Sequence, residues 1–197
     1  MILSKSEVID VSLSHWNYFL AVEEDLNGLS RYIEFDNNNY KTYSLELARI
    51  LMAAVQEIDV LFKQICDLKK TVGNCESDYR REIPKTYPNL PSLDVIFPRY
   101  GLQFLPFGSW TKPTSATPLW WTANNKVKHE RHNFFHQASL ENTLNAAAGL
   151  FVANLYFYDA SRGIDQLSPG PKYLWAEKAC DAITPTEFGN IPNFKVP

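Results

Sequence analysis

The chain has 197 residues, 45% of them hydrophobic and 14% aromatic, which suits one packed domain and excludes a disordered chain. A formal net charge of −3 and a pI near 5.8 exclude an overall basic field, so any contact with nucleic acid has to rest on a local basic patch. The three cysteines, Cys66, Cys75 and Cys180, are odd in number and lack CxxC spacing. They indicate neither a structural zinc site nor a disulfide framework, and fit reduced thiols in a cytoplasm.

The N-terminal stretch MILSKSEVIDVSLSHW breaks its apolar residues with Lys5, Glu7 and Asp10 and offers no continuous apolar segment of a signal peptide. From 14 to 35, Trp16, Phe19, Leu20, Val22, Leu26, Leu29 and Ile33 recur at helical spacing and predict a first helix. The asparagines of FDNNNYKTY end it, being poor helix and good turn residues. Ser44 is the expected N-cap of a second helix, with Glu46 in its first turn. In that helix Leu47, Ile50, Leu51, Ala54, Ile58, Leu61, Phe62 and Ile65 share one face, while Arg49, Gln56, Asp59, Lys63 and Asp67 form the wet one.

Between 72 and 117 six prolines exclude a long helix and mark an insertion or ordered connection. Within it, 93–97 and 101–107 have the composition of short strands able to pair as a hairpin. Helicity is expected again from Pro118 through LWWTANNKVKHER, and Ser139 caps a last long helix to about 160. The small residues Ala146, Ala147, Ala148 and Gly149 there admit close approach of a helix from this chain or from a second copy. The run 146–158, the most apolar in the chain, carries Asn154 and is too short to cross a bilayer, so the expectation is a soluble, cytoplasmic protein. The tail, 163–197, is expected to wrap the body with at most a short helix near 173–182.

Chemistry concentrates in the polar run 124–136. His129, His132 and His136 fall in one short window with Lys126, Lys128 and Arg131. Imidazoles exchange protons near neutrality, and Arg or Lys can hold a phosphate, so a phosphoester site can be built from these parts. The competing reading is an exposed helix end whose histidines cap carbonyls. On one unbroken helix Asn125, His129, His132 and His136 lie within about 60° of one another, whereas Arg131 points roughly 140° from His136. A joint Arg131–His136 site therefore needs a break or a second subunit. Three imidazoles on one face also admit a metal, but the neighbouring cations oppose it, and neither a metal nor a cofactor is expected.

Glu23 and Glu57 border apolar helix faces and need partners if buried. The Lys128, His129 and Arg131 group is the nearest supply in sequence terms, as a structural ion pair. Trp120 and Trp121 read as core anchors rather than base-stacking platforms. Phosphate-binding glycine loops, HExxH, GxSxG and Cys2His2 patterns do not occur.

Three blocks resemble the HEPN domains (higher eukaryotes and prokaryotes nucleotide-binding): YFLAVEEDLNGLSRYIEF, YSLELARILMAAVQEIDVLFKQIC and WWTANNKVKHERHNFFHQASLENTLNAAAGLFVANLYFY. The last is similar to uncharacterised bacterial HEPN-like proteins, through its Asn-Lys-Val-Lys-His-x-Arg core from Asn125 to Arg131. RHNFFH also matches the HEPN ribonuclease pattern of Arg, four to six residues beginning with a polar one, and His. The resemblance implies one all-α domain over 1–197, an up-and-down bundle of four or five helices interrupted by the proline-rich insertion, that forms a homodimer around this motif. In catalytic members it implies RNA cleavage without metal: His136 as general acid or base, Arg131 on the scissile phosphate, and His132 orienting them. Lys128, His129, Asn125 and Lys126 would then bind substrate.

Two functions follow from this. One is a metal-independent RNA endonuclease of toxin or phage-defence type, with an antitoxin as a further partner. The other is a non-catalytic helical dimer that binds a nucleotide or partner protein, its Lys128, His129 and Arg131 paired with Glu23 or Glu57. A centre shifted to Lys128 and His129, ahead of His136, is a variant of either.

Overall fold

A computed structural model of the chain describes residues 13–111, 113, 115–162, 167–186 and 189–197. The reading of the N-terminal stretch up to residue 12, and of the first tail residues, 163–166, lies outside the described residues. Five α-helices carry the architecture among the described residues: α1 (Ser14–Leu29), α2 (Leu45–Leu68), α3 (Glu76–Thr86), α4 (Leu119–Phe134) and α5 (Leu140–Arg162). Two antiparallel hairpins accompany them, β1 (Val95–Phe97) with β2 (Leu102–Phe104), and β3 (Cys180–Thr186) with β4 (Gly189–Phe194). The fold is therefore mainly helical with a hairpin in the insertion.

α2 forms where its apolar stripe predicts, and the Ser44 hydroxyl accepts from the Leu47 amide at 3.1 Å. Leu47, Ile50, Leu51, Ala54, Ile58, Leu61 and Phe62 are all fully buried. They face chiefly α5, whose Ala146, Ala147 and Ala148 are equally buried. A Cβ built on Gly149 would stand 3.2 Å from the Trp120 ring and 3.3 Å from Ile58. The small-residue stripe thus admits α2 and α4 of the same chain. At the start of α5 the Ser139 hydroxyl accepts from the Asn142 amide at 3.3 Å.

α1 ends at Leu29 rather than near 35. Gly28 weakens the last turn, and the Ser30 hydroxyl folds back to donate to the Asn27 carbonyl at 2.8 Å, a bond that competes with further helix. Inside the insertion, α3 was not anticipated. Glu76 and Asp78 favour its N-terminus and Lys85 its C-terminus, and Pro84 falls in its last turn. The insertion hairpin forms with Val95 opposite Phe104 and Phe97 opposite Leu102.

Within the limit of at most a short helix near 173–182, the tail carries a single 3-10 turn, Glu177–Ala179, and it continues into the β3–β4 hairpin, which the sequence reading did not include. Pro185 and Pro192 oppose helix but are tolerated in a two-stranded ribbon, where every strand has an open edge. The tail does wrap the body. Trp16 Nε1 donates to the Pro169 carbonyl at 2.8 Å, and Trp175 and Ile96 exchange backbone bonds at 2.8 and 2.9 Å. Among the described residues no helix is long and apolar enough to cross a membrane.

Candidate functional site: a polar cleft and a cationic helix end

α4 contains two breaks. Glu130 leaves helical geometry at φ −136° and ψ 45°, and Phe134 follows at φ −120° and ψ 17°, ahead of the 3-10 turn Phe135–Gln137. The single unbroken helix on which the histidines would share a face does not exist. Residues 119–129 and the RHNFFH segment have separate directions.

Before the first break, Trp121, Asn124, Asn125 and Lys128 are spaced i, i+3, i+4 and i+7 and line one wall of an open cleft of about 740 Å³. The opposite wall is α2, through Met52, Val55, Gln56, Asp59 and Val60 at the same spacing. Asn74, Cys75, Glu76 and Ser77 close one end at the start of α3, and Thr117 reaches in from the insertion. Asn125 and Lys128, both expected at the site, are exposed here. Asn124 is 7% exposed, and its carboxamide, which makes no hydrogen bond among the described residues, is not one of their sealed, unpartnered polar groups and so reaches the solvent of the cleft. Asp59 accepts from the Tyr79 hydroxyl through Oδ1 at 3.0 Å and leaves Oδ2 open. Burial and the Asp59 carboxylate push the Tyr79 phenol above the ordinary tyrosine range.

Glu76 fixes the cleft's end. It is 8% exposed and takes the Trp110 indole N–H at 2.9 Å and the Thr117 hydroxyl at 2.8 Å, with Arg80 Nε at 3.3 Å. Arg80 in turn donates to the Ser115 carbonyl at 2.7 Å. One carboxylate therefore ties the end of the insertion, at Trp110 and Thr117, to the first turn of α3, near the insertion's start.

Around the break the picture is cationic and mostly exposed. The Arg131 guanidinium lies 4.8 Å from the Phe135 ring centroid, and Phe135 meets Tyr43 edge-on at 5.5 Å. Lys126 sits 4.9 Å from the Phe134 ring. His129, His132 and His136 are exposed, and His136 stands 6.4 Å from Phe134. Among the described residues no hydrogen bond or ring contact joins Arg131, His132 and His136 within one chain. None of Lys126, Lys128 or Arg131 has a carboxylate within ion-pair distance there either.

Glu23 and Glu57 do not pair with that group. Glu23, 2% exposed, is enclosed by the tail, its oxygens accepting from the amides of Lys172 at 2.9 and 3.0 Å, Tyr173 at 2.7 Å and Leu174 at 3.2 Å. Burial raises its carboxyl above the usual range, and the three amides pull it partly back. Glu57 meets His15 Nδ1 at 2.5 Å, while His15 Nε2 faces the Gln64 amide at 3.1 Å. Both carboxylates find partners on the α1 side of the bundle. Trp120 and Trp121 are buried, with Trp120 Nε1 donating to the Pro106 carbonyl at 2.8 Å.

Gln56 and Asp59, read from the sequence only as part of the wet face of α2, and Asn124, read only as the start of the polar run, are the cleft residues that were not assigned to a site. The available signal was Met52 and Val60, two apolar side chains exposed on the otherwise polar side of α2. Compared with protein-family models, curated proteins and solved structures, the chain gives no match.

Proposed function

We propose that the chain is a HEPN-like helical protein that binds RNA through the α4 cations and, as a homodimer, cuts it without a metal. The carrying observation is that Lys126, Lys128 and Arg131 have no carboxylate partner among the described residues. Glu23 and Glu57, the acids that would have turned them into structural glue, are engaged elsewhere. Cations left open beside exposed imidazoles suit a phosphodiester.

On this reading an imidazole takes the proton of the 2′-hydroxyl, whose oxygen bonds to phosphorus as the bond to the 5′-oxygen breaks. A second imidazole gives that leaving oxygen a proton. The products are a 2′,3′-cyclic phosphate and a 5′-hydroxyl end. Arg131 holds the phosphoryl oxygens as charge grows on them, His136 exchanges the protons, and His132 orients the pair. Because nothing among the described residues joins Arg131 to His136, this reading has the second copy complete the site.

The test is cleavage of varied RNAs in EDTA with analysis of the ends. Both Arg131→Ala and His136→Ala should cut about 10²- to 10⁴-fold more slowly. A homogeneous dimer that cuts none of them refutes the nuclease. A second reading, a non-catalytic dimer that binds a nucleotide or partner protein, is favoured by one observation: Asn125 and Lys128 line the cleft, whereas Arg131 and His136 do not. Binding without cleavage selects it.

A further inference from the structure

We infer that α4 is a two-position hinge at Glu130, latched in its bent position by Tyr43 through Phe135, and that release of the latch turns Arg131 to the cleft beside Lys128. Sharp helix breaks ordinarily have a local cause, such as a proline, a glycine or serine, or an inserted side chain. From 119 to 138 the chain has no proline, glycine or serine, and the exposed Glu130 forms no ion pair among the described residues. Lys126, Lys128, Glu130 and Arg131 are instead good helix formers. Local sequence therefore favours a straight helix where the backbone leaves it, at φ −136° and ψ 45°. Such a conflict between local preference and tertiary structure is expected at functional positions.

What imposes the bend lies beyond the helix. Arg131 rests 4.8 Å from the Phe135 ring centroid, Phe135 meets Tyr43 edge-on at 5.5 Å, and Tyr43 pairs as an antiparallel bridge with Ser139 at the start of α5. The latch is light. Tyr43 is 51% exposed, Phe135 half-buried and Arg131 exposed, so parting them uncovers little apolar surface. The connection to α5 has the reach to follow. Phe135–Gln137 is wound as a 3-10 turn at about 2 Å per residue, and drawn out at about 3.3 Å per residue it yields about 4 Å. In a straight helix Arg131 lies about 20° from the direction of Asn124 and about 60° from that of Lys128, on the α4 face that lines the cleft. There the guanidinium and the Lys128 ammonium, three residues apart, repel each other, which favours the bent position until an anion lies between them. An anion held by both cations binds only the straight position and so selects it.

The bearing of this hinge on RNA cleavage rests on the reading above, while the hinge itself is tested without RNA. Spin labels on Asn133→Cys and Gln56→Cys, both exposed positions, report the distance from the helix end to α2 in the full chain carrying Cys75→Ser and Cys180→Ser. Dilution into unlabelled chain confines the signal to pairs within one copy, and Cys66, 1% exposed, stays unlabelled. The parent should give one main distance. Tyr43→Ala and Phe135→Ala should each raise a second distance about five- to tenfold relative to the first, whereas Tyr43→Phe, which keeps the ring, should leave the distribution as it was. Adding Glu130→Gly to the Tyr43→Ala chain should lower the second population about threefold, because glycine disfavours the straight helix.

Hydrogen exchange separates a straightened helix from a frayed one, since the amides of 131–134 should keep their protection in the Tyr43→Ala chain. A single unchanged distance in Tyr43→Ala and Phe135→Ala, in variants whose melting shows them folded, overturns the inference. So does a broad distribution with protection lost at 131–134, or a second distance that rises equally in Tyr43→Phe. A chain whose hinge moves but which cuts no RNA keeps the hinge and loses the nuclease reading. One that cuts RNA with a single distance in every variant does the reverse.

Discussion

Salt dependence of RNA binding is the measurement most directly set by the structure. Each cation that neutralises a phosphate of a single strand releases counterions and adds about −0.7 to the slope of log affinity against log salt. Lys126, Lys128 and Arg131 have no carboxylate partner among the described residues, so one chain should show a slope of about −2. Raising salt from about 50 to about 200 mM should then weaken binding about 20-fold, and a strand spanning both chains of a dimer should double the slope. Lys128→Ala should bring the one-chain loss down to about 7-fold over the same interval. Lys178→Ala is the control, because that ammonium already lies 2.6 Å from Asp94 and has few counterions to release. Fluorescence anisotropy of a labelled unstructured RNA reads the slope. A slope near zero, or one that Lys128→Ala and Lys178→Ala change equally, would refute the claim that α4 holds the phosphates.

Glu23→Ala should cost about 3–5 kcal/mol in urea unfolding, since it strips the acceptor from three amides of the tail, and Glu23→Gln should retain part of that. Glu76→Ala should cost a similar amount, about 3–5 kcal/mol, because Arg80 and the Trp110 indole lose their shared partner. Protection of the Trp110, Thr111 and Ala116 amides from hydrogen exchange should fall with it. Alkali should unfold the protein steeply: Tyr79, Tyr87 and Tyr156 are all raised above the ordinary phenol value, chiefly by burial. The folded state therefore keeps protons that the unfolded chain loses. Their contribution is intact below about pH 10 and declines above it by about 1.4 kcal/mol per pH unit for each proton. Tyr87→Phe should remove one proton's share of that slope, and an unchanged slope would contradict the assignment.

Helices whose apolar stripes face the core were legible because burial writes the 3.6-residue period directly into the chain, as in α2 and α5. Caps were legible at Ser44 and Ser139 because the hydroxyl acts within three residues of itself. What failed was whatever depends on distant backbone. Glu23 was recognisable as a carboxylate on an apolar face, but its partners are main-chain amides at 172–174, which have no residue signature. The same holds for the β3–β4 hairpin, whose prolines read as breakers of helix without saying what replaces it. Gln56 and Asp59 were placed on the correct, wet face of α2. That this face meets Asn124 across a cleft is a tertiary fact, hinted at only by exposed Met52 and Val60.

The break at Glu130 matters more than its single residue suggests. Seven residues of uninterrupted helix turn about 700°, only about 20° short of two full turns, so a straight α4 would carry Arg131 almost directly beyond Asn124. The cleft stripe of Trp121, Asn124 and Lys128 would then end in a guanidinium. Instead Glu130 leaves the helical basin, and Arg131 rests on Phe135, itself held against Tyr43. The backbone at 40–43 braces that arrangement, since the amides of Leu140 and Glu141 donate to the carbonyls of Thr42 and Tyr40 at 2.8 and 3.2 Å. An exposed cation–π contact contributes only about 0.5–1 kcal/mol, so the stack alone does not hold the bend, and the α1–α2 connection has to share the task. The consequence is a division within one short stretch. Lys128 belongs to the cleft and Arg131 to the helix end, and Arg131 can extend the cleft only if the bend is undone.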